Sequence, residues 1–158
     1  MDHPFTNLLI PGISNNMGTL KMIIHTLTRE MKTGPDICDI TPDIEALVNR
    51  TDIDTGIVHL FIPGSTGSVT AIEYEPGMVE DLKRAVTELA PPDNVYDHEL
   101  AWHDGNGHSH IQAALLGPSL SIPIRNGRLA LGTWQQAVVI NHDNNPRARK
   151  IEITITGS

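Results

Sequence analysis

The chain has 158 residues, enough for one domain with its own core, and carries a formal charge of −8 with a single cysteine, Cys38. The acidic balance argues against nucleic acid or an anionic membrane as partner, and a lone cysteine excludes an internal disulfide and fits a reducing compartment. No apolar run approaches a membrane span and no charged start precedes an apolar stretch, so a cytoplasmic protein is expected.

Residues 1–19, rich in Pro, Gly and Asn, read as an N-terminal arm, and 20–158 as the folded domain. Leu20 to Thr28 predicts a first strand and Ile37 to Ile40 a second, separated by the breaker Lys32-Thr33-Gly34-Pro35. Thr41-Pro42-Asp43-Ile44-Glu45 is a helix start, with Thr41 as N-cap and Pro42 at the first position, running to about Arg50. Gly56 to Ile62 is a short apolar run and reads as a buried strand. A small-residue loop, Pro63 to Ser68, leads into the strand Val69 to Tyr74. Pro76 opens a helix to Leu89 whose Val79, Leu82, Val86 and Leu89 share one face, and Ala90-Pro91-Pro92 stops it.

Tyr96 to Gln112, Y-D-H-E-L-A-W-H-D-G-N-G-H-S-H-I-Q, holds half of the chain's eight histidines around the turn sequence Asp104-Gly105-Asn106-Gly107. Ile111 to Leu116 then predicts a short helix ended by Gly117-Pro118, with His108, Ser109 and His110 in its first turn, where free N–H groups favour an anion. Ser119 to Ile124, Arg128 to Leu131, Gln136 to Ile140 and Ala148 to Ile155 read as strands. Asn126-Gly127 is a hairpin turn, and His142 to Pro146 is a polar turn. Strands at both ends with helices inserted indicate a single α+β domain with a mixed or mostly antiparallel sheet.

His98, His108 and His110 are the candidate metal ligands. Imidazole nitrogens favour zinc, whereas magnesium would need the oxygens of Glu73 and Asp104. On a helix His108 and His110 diverge by about 200°, so the pair shares a metal only if that turn is not yet helical. The competing reading has these histidines capping the helix and bracing loops, and has Asp104 starting the turn. Ser65 and Thr66, in a loop without bulky side chains, suit phosphate, although the loop lacks the lysine and spacing of a P-loop. Positive charge beside it would come from Arg125, Arg128 or a histidine. Trp134 and Gln135 either stack on and hydrogen-bond a heterocycle or anchor packing. Arg147, Arg149 and Lys150 read as a solvent-facing strand edge, His25 and His59 as structural residues, His142 as solvated and Cys38 as buried.

Several of these segments together resemble the YjbQ-like family, also called secondary thiamine-phosphate synthases. They are Tyr96-Asp97-His98-Glu99, Ser109-His110-Ile111, Leu116-Gly117-Pro118-Ser119, Ile122-Pro123-Ile124, Gly127-Arg128-Leu129 and above all Leu131-Gly132-Thr133-Trp134-Gln135, together with Glu73. The similarity runs from about Thr19 to Gly157. The resemblance implies a sheet curled into a sandwich-like barrel with flanking helices, and a homotrimer with its site near the subunit boundary. It also implies a weak condensation of hydroxymethylpyrimidine diphosphate with thiazole phosphate. In that reading Ser65, Thr66 and the His110 turn hold phosphate, Glu73, His98 and Asp104 serve protons or metal, and Trp134-Gln135 position a ring. The sequence departs from many members at Gly64 and Ile72, where those have histidine and asparagine. Two rival readings stand beside the synthase: a zinc-dependent hydrolase, and a non-catalytic ligand-binding or trimeric assembly module.

Overall fold

The computed structural model describes residues 19–158, so the arm expected over 1–19 lies, apart from Thr19, outside the described residues. In chain order these form β1 (Lys21–Met31), β2 (Asp36–Asp39), α1 (Thr41–Val48), β3 (Gly56–Phe61), β4 (Gly67–Ile72) and α2 (Pro76–Leu89). There follow α3 (Glu99–Trp102), α4 (Gly107–Leu116), β5 (Ser119–Arg125), β6 (Arg128–Leu129), β7 (Gln136–Asn141) and β8 (Arg147–Gly157). The strands make two sheets, β1-β8-β3-β5-β6 and β2-β7-β4, with antiparallel pairing throughout. The α+β expectation therefore holds, as two antiparallel sheets packed face to face.

Alternation decides which face of each strand is inside. In β8 the residues Ile151, Ile153 and Ile155 are buried, and this strand lies between β1 and β3. They meet Val58 and Leu60 of β3, Ile122 and Ile124 of β5, and Val69, Ala137 and Val139 from the smaller sheet, so the main core lies between the sheets. Ile44 and Val48 of α1 join that core. The smaller sheet is covered on its other face: Ile37, Ile72, Val138 and Ile140 pack against Val79 and Leu82 of α2 and Leu116 of α4. β7 thus has apolar neighbours on both sides, which is why Ala137 to Ile140 read as an unbroken apolar run.

Local signals explain most boundaries. Asn126 and Gly127 both adopt positive φ, 52° and 68°, as a two-residue hairpin turn between β5 and β6 requires. Glu75 caps α2 by accepting from the N–H groups of Gly77 and Met78. Two expectations change. Thr41 is the first helical residue rather than the cap, and its hydroxyl is used elsewhere, accepting from the Ala137 N–H at 2.8 Å and tying α1 to β7. β3 is buried only at Val58 and Leu60, while Ile57 and Phe61 face outward, because one face of the larger sheet has no covering layer among the described residues.

Candidate functional site

Strand pairing assembles the site. Gly67 of β4 lies opposite Asn141 of β7, so the Gly64–Thr66 loop entering β4 and the His142–Pro146 turn leaving β7 are neighbours at one end of the smaller sheet. The start of α4 reaches the same place. Ser65, Thr66, Asp104, His110, Asp143 and Arg149 line a cleft of about 330 Å³ there.

The wall carrying the histidines is built from a short sequence. α3 ends at His103, whose left-handed backbone (φ 52°) reverses the chain. Asp104 Oδ1 then accepts from the Asn106 N–H at 3.0 Å, the turn-starting role expected of it. Glu99 reaches over the same loop, accepting from the N–H groups of Gly105 at 2.8 Å and Gly107 at 3.0 Å. Those two bonds hold its carboxyl below the usual carboxylate range. Gly107 must be glycine, because a Cβ there would lie 2.5 Å from the Tyr96 Cβ. The N–H groups of the N-cap Asn106 and of the first helical residue Gly107 are thus taken by Asp104 and Glu99, so the chain's own carboxylates occupy part of the anion site expected at this helix start.

His98, Asp104 and His110 converge, each offering one ligand atom, with all three atoms within 4.8 Å of one another. The His98 and His110 rings lie with centroids 4.4 Å apart, and His98 Nε2 is 3.5 Å from Asp104 Oδ1. Two ligand atoms on one tetrahedral zinc are roughly 3.3 Å apart, given bonds near 2 Å, so that spacing suits a shared ion. His98 Nε2 is buried and has no hydrogen-bond partner among the described residues. His110 Nδ1 lies 3.2 Å from the Ser65 carbonyl, which can only accept, so the proton sits on Nδ1 and the Nε2 lone pair is free. Two nitrogens and one oxygen fit zinc better than magnesium.

His108 does not join them. Helical geometry turns it away from His110, and it is buried with Nε2 3.1 Å from the Ser109 hydroxyl. Burial depresses its pKa. Of the expected His98, His108 and His110 the structure brings together only His98 and His110, and Asp104 stands beside them where His108 was expected.

On the opposite wall Thr66 was expected, but its partners Arg149 and Asp143 were not. Arg149 is only 7% exposed, with Nε bonding Asn141 Oδ1 at 2.9 Å and Nη2 bonding the Thr66 carbonyl at 2.8 Å and hydroxyl at 2.7 Å. Thr66 in turn donates its hydroxyl to Asp143 at 2.9 Å, and Arg147 Nε pairs with the same carboxylate at 2.9 Å. Burial pushes the Asp143 pKa up, but Arg147, the Asn145 N–H and Thr66 together hold it below the ordinary value. Arg149 is therefore a buried cleft residue rather than part of a solvated edge, while Arg147 is exposed as expected yet lines the same cleft, and the basic charge comes from these two rather than from Arg125 or Arg128. A signal was present: in R-A-R-K-I-E-I-T-I the arginines share their phase with the buried isoleucines. Behind this wall His142, expected to be solvated, is sealed. Its Nδ1–H donates to Gln112 Oε1 at 3.1 Å and its Nε2 accepts from the Ser68 hydroxyl at 2.8 Å. Burial and the nearby Arg149 lower its pKa to about 4.

Glu73, Trp134 and Gln135 lie elsewhere. Ile72 pairs with Gln136 at the far end of β4 and β7, and the six residue steps from Gly67 to Glu73 span roughly 20 Å at strand rise. Gln135 accepts from the Gly132 N–H at 2.9 Å, and Trp134 is 70% exposed. Within one chain these residues do not reach the histidines.

Fold and cleft together define an α+β sandwich protein with a histidine-carboxylate triad and a buried arginine at the mouth of its smaller sheet. The family described as UPF0047 protein YjbQ-like matches residues 25–158, and the chain belongs to this family. It is 34% identical to a UPF0047 protein of Archaeoglobus fulgidus over 125 residues, covering 79% of this chain and 94% of the relative. It is 31% identical to UPF0047 protein YugU of Bacillus subtilis over 137 residues, covering 85% and 100%. Among solved structures, a YbjQ-like protein of unknown function from Sulfolobus solfataricus superposes with a TM-score of 0.83 at 30% identity, covering 88% of this chain and 99% of that one.

Proposed function

We propose that the protein is a divalent-metal-dependent enzyme acting on a phosphorylated small molecule, with zinc held by His98, Asp104 and His110. The observation that supports this is the convergence of three ligand atoms beside an open cleft lined by Asp104 and His110, one of them the buried His98 Nε2, which has no hydrogen-bond partner among the described residues. A divalent ion in that place supplies charge for a departing phosphate or diphosphate and lowers the pKa of water. The chain's own residues divide the remaining work. Asp104 keeps its carboxylate in place through its turn, the Ser65 carbonyl fixes the His110 tautomer, and Thr66 acts through Arg149 because its hydroxyl is already shared with Asp143.

The condensation implied by the family resemblance fits this frame. The thiazole nitrogen bonds the methylene carbon of hydroxymethylpyrimidine diphosphate as the carbon–oxygen bond breaks and pyrophosphate leaves. That reaction wants a flat stacking surface, and Trp134, Gln135 and Glu73 sit at the opposite end of the subunit. A head-to-tail homotrimer would bring that end of one copy to the His98 end of the next, since heterologous contacts that close make rings. Val95, Leu100 and Trp102 beside His98 are exposed, as is Trp134, and burying them is what such a contact would do. Hydrolysis of a phosphoester is the second reading, favoured by the absence of Trp134 from the cleft of the single chain.

Zinc-loaded protein incubated with both synthase substrates tests the first reading. Thiamine phosphate and pyrophosphate should form in equal amounts and disappear in His110→Ala. Phosphate release without thiamine phosphate would transfer the assignment to the hydrolase, and no turnover of either kind would leave only a binding or assembly module.

A further inference from the structure

Arg149 spends Nε and Nη2 on Asn141 and Thr66. Its Nη1 makes no hydrogen bond among the described residues, yet the side chain is more than nine-tenths buried. The atom faces the loop at Gly64, where a Cβ would lie 3.5 Å from it. Gly64 has φ +116°, a conformation that side-chain-bearing residues rarely adopt, so the loop leaves this guanidinium edge uncovered toward the cleft. A buried, oriented arginine with Nη1 free is a device for gripping an anion, because its remaining N–H groups give charge-assisted hydrogen bonds and little entropy remains to be lost.

Charge counting points the same way. Asp104, Asp143, Arg147 and Arg149 border the cleft and cancel as two anions and two cations. A divalent ion on the histidine wall would leave two units of positive charge, the complement of a phosphate monoester dianion. Directly beside the cleft, and sharing Gly64, Ser65 and His110 with it, lies a second groove of about 210 Å³ floored by Ala113, Ala114 and Pro118. It is apolar and lacks hydrogen-bonding side chains beyond the shared rim.

We infer that Arg149 Nη1, with Arg147 and the Ser65 hydroxyl, forms the phosphate-recognition half of the site, and that the Ala113–Ala114–Pro118 groove receives the small apolar group esterified to that phosphate. This rests on the metal-enzyme reading for the other half but assigns its own residues. The ligand class is a phosphomonoester of a small, flat or apolar alcohol.

Calorimetric titration of inorganic phosphate, phenyl phosphate and acetate into zinc-loaded and into chelator-treated protein tests it. Both phosphates should bind one per chain, phenyl phosphate about tenfold tighter, and acetate far more weakly. Arg149→Lys, which keeps the charge but loses the free edge, should weaken both phosphates by about ten- to a hundredfold, the range for loss of a charge-assisted hydrogen bond. Ala114→Trp should abolish the phenyl advantage and leave inorganic phosphate unchanged. Should Arg149→Lys fail to fold, nitrogen-detected NMR of arginine side chains in the unaltered protein gives the same answer, since phosphate should shift the Arg149 Nη resonances. Unshifted resonances, undiminished phosphate affinity in Arg149→Lys, or acetate binding equal to phosphate would overturn the assignment. Protein that takes up no zinc but still binds phosphate through Arg149 would remove the metal reading alone.

Discussion

The rings of His98 and His110 approach to 4.4 Å between centroids, although twelve residues and a chain reversal separate them. The approach is produced by α3, the left-handed His103 and the Glu99 carboxylate that ties Gly105 and Gly107. Neither histidine is placed by its neighbours in sequence alone.

If Glu99 sets that geometry, Glu99→Gln removes a charged acceptor from both N–H groups and lets the Asp104 loop relax. Zinc affinity should fall by about tenfold, the lower end for outer partners of a metal site. Competition with a chromogenic chelator measures it, and unchanged affinity would show that the loop is held by other contacts.

Acid should destabilise the protein in a defined window. His142 has its pKa lowered to about 4, while an unfolded histidine titrates near its ordinary 6.5. Below that ordinary value the unfolded chain takes a proton that the folded chain refuses, so stability is complete above pH 6.5 and falls toward pH 4. The loss attributable to His142 is roughly 3 kcal/mol by the usual conversion of pKa to free energy. Glu99 and Asp143, both held below their normal range, extend the decline at lower pH. Urea melts between pH 7 and 4 should show this slope, and His142→Asn should be less stable at pH 7 but flatter across the window. Equal slopes in the two proteins would refute the assignment to His142.

The sandwich depends on β8. Ile153 is fully buried and flanked by β1 and β3, so Ile153→Ala should cost about 2–5 kcal/mol in a denaturant melt. A cost below 1 kcal/mol would mean that the core between the sheets collapses around the gap.

Trp134 reports on assembly. In a trimer joined as proposed its indole and that of Trp102 would both leave water, giving blue-shifted fluorescence that reddens on dilution to monomer, and Trp134→Ala should lower the mass seen by light scattering. A fluorescence maximum typical of exposed indole at every concentration would place Trp134 outside any interface.

Much of the fold was legible because the elements carry their own signals. Pro76 and the spacing of Val79, Leu82 and Val86 mark α2, and Asn126-Gly127 marks the hairpin. α3 was not legible, since four residues carry no usable period. The site was legible in residue type but not in partnership. His108 and His110 look equivalent in sequence, and only the helical rotation separates a packed ring from a cleft-facing one. Asp143 and His142 sit in a turn that reads as solvent-facing, and their burial depends on β7 delivering them beneath α4. Arg149 was readable through its alternation with Ile151, although arginine is rarely buried. The Glu73 and Trp134 positions were joined to the histidines by resemblance, and the strand register sets them at the other end.

The most direct measurement is the zinc content of purified, dialysed protein and its single-histidine variants by elemental analysis. The account predicts about one zinc per chain in the unaltered protein and in a folded His108→Ala, with zinc lost in His98→Ala and in His110→Ala. Zinc retained in both of those variants, or lost in folded His108→Ala alone, would contradict it.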